Sequence, residues 1–231
     1  MKVLVIENAP SAPVGLFGTW LEQVRGATLD VVSPQTMPDA QGEADLSAWD
    51  LIVTLGSPHG AYEDIPWIHR QRRFLQQAIA AGRPVLGICF GAQIVATAIG
   101  GRAAPFGRRF AGWLDVAETT DPVWRGPWAR WHGDHLEVPE GTEVLARDQG
   151  TIQAFHHRAP GGGAAVGVQF HPEIDAAGMH VIGAKLPDWL AENNLDLDTL
   201  DRQSAANMAP RQAARHALFT EILRRAGVPP T

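Results

Sequence analysis

One cysteine, two lysines and a charged fraction of 19% are the scarcities of this 231-residue chain. With Cys89 alone, no disulfide can form within the chain, which removes the usual staple of a small secreted scaffold and makes a reducing cytoplasm the expected compartment. Lys2 and Lys185 are the only lysines, an arginine-rich usage that hints at a GC-rich bacterial genome. Lys plus Arg is 19 against 25 Asp plus Glu, a formal charge of −6, so the general basic footprint of a nucleic-acid binder is missing. Long apolar runs are missing too. The N-terminal MKVLVIENAP reaches Asn8 and Pro10 before it could form a signal-peptide core, and the uncharged stretch from Pro84 to Gly101 is broken by Gln93 and several glycines, so no membrane span is expected.

What is present is enough apolar residue for a core. Hydrophobic residues make up 45% of the chain, and at 24.9 kDa a folded surface of roughly 10,000 Å² replaces about 36,000 Å² in the unfolded chain. One domain is the default for this length. Lys2 to Ile6, Leu29 to Val32, Asp50 to Leu55 and Pro84 to Ile88 read as buried parallel strands. Val14 to Arg25, Ile65 to Ala81 and Phe90 to Ile99 carry apolar residues at helical spacing between or after them, so the pattern is that of an α/β fold with right-handed crossovers. From Gly101 to Phe170 shorter segments (Gly112 to Ala117, Ala129 to Trp131, Glu143 to Ala146, Ile152 to Phe155, Ala165 to Phe170) suggest antiparallel strands. Ile174 to Ala184 and Arg211 to Ala226 read as helices.

Two segments carry chemistry. In Gly87-Ile88-Cys89-Phe90-Gly91-Ala92-Gln93 the cysteine falls between a strand and a helix. A tight turn there lifts a nucleophile above the sheet edge, and the helix N-terminus favours a thiolate. Cys89 on its position alone could equally be a small buried apolar residue. In Val168-Gln169-Phe170-His171-Pro172-Glu173 a strand-like run delivers a histidine with a carboxylate two residues on. Thiol attack on an amide needs a base that later returns its proton to the leaving amine, and an imidazole held by a carboxylate does both.

With these two motifs the chain resembles the class I, triad-type glutamine amidotransferases, which bear a G-x-C-x-G-x-Q elbow and a later H-P-E; the resemblance spans Lys2 to about Glu173. It implies Cys89 as nucleophile, His171 as general acid and base, and Glu173 as the residue that orients it. Gly56-Ser57-Pro58 follows the third strand where the family keeps its oxyanion loop, so backbone N–H groups of Gly56 or Ser57, with that of Phe90, are expected to hold the oxyanion; such donors are worth about 3–4 kcal/mol each. Gln93, Gly112 and Trp113 are the expected substrate-binding residues. Phe110 stands where relatives often carry an acid, and Ala92 where many carry histidine. Trp131-His132-Gly133-Asp134 resembles a family segment near the site. His132 and His135, three apart in an expected strand, point to opposite faces, so no metal is expected, and with no glycine-rich P-loop pattern no ATP use and no cofactor is expected either. The adjacent His156 and His157 are read as solvated or packed.

The implied architecture is a flavodoxin-like class I glutaminase: a central, mainly parallel sheet flanked by helices, with a small antiparallel sheet, in residues 1–190. A helical extension over 191–231 is expected to pack on the same domain. Tyr62 to Ile68 resembles the free-standing, GMP-synthase-like branch, and Glu63 and Asp64 could bind a substrate amine or favour a helix start. The expected reaction is cleavage of the γ-amide of glutamine, or of a γ-glutamyl compound, through a cysteine thioester. Hydrolysis of γ-glutamyl peptides and a non-catalytic partner subunit are the rival readings. Besides the small-molecule substrate, a synthetase partner or a homo-oligomer is compatible with this family; nucleic acid and membrane are not expected.

Overall fold

The computed structural model describes residues 1–38 and 45–229. Nine strands are found among them: β1 (Lys2–Ile6), β2 (Thr28–Val32), β3 (Leu51–Thr54), β4 (Val85–Ile88), β5 (Arg102–Val116), β6 (Gly126–Glu137), β7 (Glu143–Asp148), β8 (Thr151–Arg158) and β9 (Ala164–Val168). The α-helices are α1 (Gly15–Arg25), α2 (Pro66–Ala80), α3 (Phe90–Ala98), α4 (Ala176–Lys185), α5 (Pro187–Glu192), α6 (Leu197–Met208) and α7 (Gln212–Ala226). Seven strands form one mixed sheet in the order β2-β1-β3-β4-β9-β8-β7, and β5 pairs with β6 in a separate antiparallel ribbon.

Side-chain alternation sorts the core into two layers. Val3, Val5, Val53 and Leu86 face one way, where α1 and α7 bring Phe17, Trp20, Leu218 and Phe219. Leu4, Ile6, Ile52 and Val85 face the other way, against Ile68, Phe74 and Leu75 of α2 and Ile94 and Val95 of α3. Strand residues two apart share a face, so a continuous apolar run buries both. The last helix is therefore part of the central core, with the Phe219 ring 4.9 Å from that of Phe17.

Two expectations need correction. The segments expected around 112–117 and 129–131 are parts of two much longer strands, and their register shifts between Pro105 and Phe110. The run expected as antiparallel at 165–170 is β9, which pairs parallel with β4 and antiparallel with β8. All five residues of β9 are buried, as a strand in mid-sheet requires. Helix α5, opened by Pro187, has no counterpart among the expected helices, and the helical extension expected over 191–231 contains α6, which Asp196 caps by accepting from Thr199 N–H at 2.7 Å. Together with α4 they cover the ribbon through Ala111, Trp113, Trp131, Met179, Leu190 and Leu200. No helix among the described residues is long and apolar enough to cross a membrane.

Candidate functional site

Strand β4 ends at Ile88 and α3 begins at Phe90, leaving Cys89 alone to turn the chain. It does so at φ 57° and ψ −113°, a conformation that costs a non-glycine residue of order 1–3 kcal/mol. Close approach on both sides makes the turn possible. A Cβ on Gly91 would collide with the carbonyl of Thr54 in β3, and one on Gly87 would meet the backbone of Gly91 and Ala92. The glycines of the sequence motif are thus packing requirements of the junction.

Three residues past the end of β9, His171 donates its backbone N–H to the carbonyl of Ala129 at 2.7 Å, tying the sheet edge to the ribbon. Its ring Nδ1 lies 2.7 Å from Oε1 of Glu173, and both side chains are buried. The backbone of Glu173 is itself held, accepting from Leu16 N–H of α1 at 2.8 Å. Burial opposes a charge on His171, but the Glu173 carboxylate, and after it Cys89 beside the ring, outweigh it and raise its pKa well above the ordinary value. With Nδ1–H directed at the carboxylate, Nε2 is left for the cysteine. Around the sulfur, Trp131 offers its carbonyl at 3.9 Å and Gln169 its Nε2 at 3.8 Å.

Gly56 and Ser57 follow β3 and bring their backbone beside His171; a Cβ built on Gly56 would stand 3.6 Å from Cε1 of that ring. Among the described residues no hydrogen bond occupies the N–H of Gly56, Ser57 or Phe90. Three unused donors at a buried sheet edge beside a nucleophile suit a developing negative charge.

Cys89, Ser57, Phe90 and Gln93 open into a cavity of about 650 Å³. Gln93 is buried, donating Nε2 to Oε1 of Gln169 at 3.3 Å while its own Oε1 has no partner. The segment Trp131-His132-Gly133-Asp134 forms another wall, and Tyr62 and Glu63 a third. Gly60 N–H and then His59 hold the Glu63 carboxyl below its ordinary range, whereas burial raises that of Asp134. Burial pushes His132 down to about 3, and its Nδ1–H donates to the Asp134 carbonyl at 2.9 Å, which leaves Nε2 an acceptor without a partner.

Gly112 and Trp113 do not line this cavity. Further along the ribbon, they pack under α6, where Trp113 Nε1 donates to Ser204 Oγ at 2.9 Å and Gly112 faces Leu195. Phe110 is buried against the His132 ring at 4.9 Å. The ribbon instead supplies Arg108 and Arg109, and α5 supplies Trp189 and Glu192, four lining residues that the sequence reading did not single out. Trp189 stacks on Trp131 at 5.9 Å and 13°, and Arg109 lies over Trp189 while pairing with Glu192 at 2.9 Å. The signal for α5 was Pro187 with Asp188 in a first turn, a start pattern that would have brought Trp189 forward. His132 and His135 both lie on β6, and no group of three or more His, Cys, Asp or Glu among the described residues could hold a metal ion.

The model of the family described as glutamine amidotransferase class-I matches residues 22–181, a span that contains Cys89, His171 and Glu173. A GMP synthase (glutamine-hydrolyzing) of Thermomicrobium roseum is 37% identical over 131 residues, which are 53% of this chain and 23% of that protein. A gamma-glutamyl-L-1-hydroxyisopropylamide hydrolase of a Pseudomonas species is 32% identical over 152 residues, 58% of this chain and 51% of that one. The matched region thus spans about a quarter of the first relative and half of the second. Among solved structures, a glutamine amidotransferase of Thermotoga maritima aligns with a TM-score of 0.80 at 22% identity, covering 96% of this chain and 98% of that one. One from Methylobacillus flagellatus gives 0.83 at 20%, covering 97% and 95%. These two share the fold. By the family match, the chain belongs to the class-I glutamine amidotransferases.

Proposed function

We propose that the chain hydrolyses a γ-glutamyl amide through a thioester on Cys89. The observation that supports this reading is that Cys89, on a strained turn with its N–H donating to the Val168 carbonyl at 2.8 Å, and His171, braced by a carboxylate at 2.7 Å, follow the neighbouring parallel strands β4 and β9. In the first half-reaction the proton shared between Cys89 and His171 rests on the ring Nε2, and the sulfur attacks the γ-carbonyl carbon. Backbone N–H groups of Gly56 or Ser57 and of Phe90 receive the oxyanion. His171 then protonates the departing nitrogen, the C–N bond breaks, and ammonia or an amine leaves. In the second, water attacks the thioester and passes a proton to His171; the C–S bond breaks, the sulfur recovers the proton, and glutamate is released. Glu173 keeps the ring in the tautomer that both halves need.

For glutamine as substrate, Gln93 is the side chain of the expected set that lines the cavity. A synthetase partner would then consume the ammonia, as the names of the GMP synthase relatives suggest. A second reading, hydrolysis of γ-glutamyl amides with a larger amine, is favoured by the cavity itself. Its 650 Å³ falls within the range of about 300–1,000 Å³ that takes drug-sized ligands, and the aromatic rings of Tyr62, Trp131 and Trp189 line it beyond Cys89. A reducing compartment suits either reading, because both require a free thiol.

The test is hydrolysis by purified protein of glutamine and of γ-glutamyl alkylamides, with ammonia, amine and glutamate all measured. Cys89→Ala is expected to lower turnover by on the order of 10⁴-fold or more; unchanged turnover would refute the proposal. Ammonia from glutamine alone selects the first reading, and faster release of the larger amines selects the second.

A further inference from the structure

Two arginines among the described residues are more than nine-tenths buried, Arg130 and Arg215, and they are treated very differently. Arg130 faces Asp148 across 2.8 Å. Arg215, in the second turn of α7, has no carboxylate within ion-pair distance among the described residues. Its Nη1 reaches the Met208 carbonyl at a long 3.4 Å, its Nη2 the Met208 sulfur at 3.6 Å, and its Nε has no partner. Burial and then the like charge of Arg211 both disfavour its protonated form, with no acid to counter them. A buried charge in that position is costly unless something supplies the opposite sign.

Space for a counter-charge lies beside it. Arg215 lines a cavity of about 290 Å³ between α1 and α7, on the helical face remote in the chain from the Cys89 turn. Trp20 and Phe219 provide aromatic wall, Leu16 and Val24 aliphatic wall, and Gln23, Gln212 and His216 polar lining. The first turn of α7 has no side-chain cap, so its N–H groups add positive potential at the same end. Arg211 is already engaged, donating Nη2 to the Arg125 carbonyl at 3.1 Å and lying over the Trp128 ring. One guanidinium held by two long contacts and no carboxylate, on the wall of a cavity with aromatic and aliphatic sides, calls for a single negative charge on an apolar body.

We propose that the cavity between α1 and α7 binds a small organic monocarboxylate, its two oxygens accepting from the Arg215 guanidinium and its apolar or aromatic body lying against Trp20 and Phe219. An Arg fork matches a carboxylate in plane and charge, which makes such bonds the strong ones. The site is separate from the one that carries the proposed hydrolysis, and the two readings stand or fall independently.

Calorimetric titration of the full chain with benzoate and with hexanoate is the test, with benzamide and inorganic phosphate as controls. Saturable binding of at least one carboxylate is expected, with benzamide and phosphate at least about tenfold weaker. Arg215→Met is expected to raise Kd at least about tenfold. Thr19→Trp, which fills the cavity from exposed α1 and leaves Arg215 in place, is expected to do the same, so the test survives a failure of the first variant to fold. Neither substitution touches the hydrolytic site, and turnover should be unchanged in both. Absence of carboxylate binding by the unmodified chain, binding that persists in Thr19→Trp or in folded Arg215→Met, or phosphate binding as tight as carboxylate, would each overturn the proposal.

Discussion

His171 at the sheet edge and His132 on the ribbon are both buried imidazoles beside one cavity, yet their protons are held in opposite senses. Burial pushes both toward the neutral form. For His132, with a backbone carbonyl as its hydrogen-bond partner and Arg130 and His171 as cationic neighbours, nothing overcomes it and the pKa falls to about 3. For His171 the Glu173 carboxylate, with Cys89 beside the ring, wins and the pKa rises. A histidine's burial therefore says little about its protonation until its nearest charges are known. The sheet edge has a proton to move, while the ribbon offers an acceptor that stays neutral until the pH falls to about 3.

That contrast can be broken from either side. The largest effect is expected in the acid stability of the ribbon. The unfolded chain protonates His132 below about pH 6.5, whereas the native chain resists until about 3. Its contribution is thus intact above pH 6.5 and is lost as pH falls toward 3, a difference on the order of 5 kcal/mol. Urea unfolding of the unmodified chain and of His132→Gln between pH 7 and pH 3 should show the unmodified chain losing more. Parallel losses would remove His132 from the account.

Glu173→Gln attacks the other histidine. With the carboxylate gone, burial dominates and His171 should lose its proton at lower pH. Because the imidazolium is the form that protonates the leaving nitrogen, the basic limb of the kcat profile should move down in pH, and kcat should fall by about 10²–10³-fold. The stability linkage has the opposite sign from that of His132: the contribution of His171 is complete below about pH 6.5 and disappears as pH rises through its raised value. An unmoved basic limb would mean that Glu173 does not set the His171 charge.

The smallest expected effect sharpens what the ribbon side contributes. Trp189→Ala removes a ring that stacks on Trp131 at the cavity wall. KM for γ-glutamyl amides with bulky amines should rise by about tenfold, in line with the loss of one apolar contact in a pocket, while KM for glutamine changes much less. Equal changes for both substrates would place Trp189 outside the leaving-group region.

The same division explains what could be read from the chain. The sheet edge was legible because its determinants are local: Gly87, Cys89 and Gly91 describe one turn, and His171 and Glu173 sit two residues apart. The parallel strands were legible from apolar runs that both faces of a sheet require. The ribbon was not, because its register depends on the irregularity between Pro105 and Phe110, which propensity does not encode. Gly112 and Trp113, the expected substrate-binding residues of the ribbon, pack beneath α6. Arg108 and Arg109 line the cavity from the irregular part of β5, and Trp189 from α5 stacked on the ribbon, a tertiary contact without a periodic signature.

The most direct measurement is the intact mass of the chain after exposure to a diazo-ketone analogue of glutamine, followed by peptide mapping. One adduct should form, on Cys89, and it should be absent in Cys89→Ala and slowed by competing γ-glutamyl substrate. A chain that stays unmodified, or an adduct that persists in Cys89→Ala, would contradict the assignment of the nucleophile and the mechanism that rests on it.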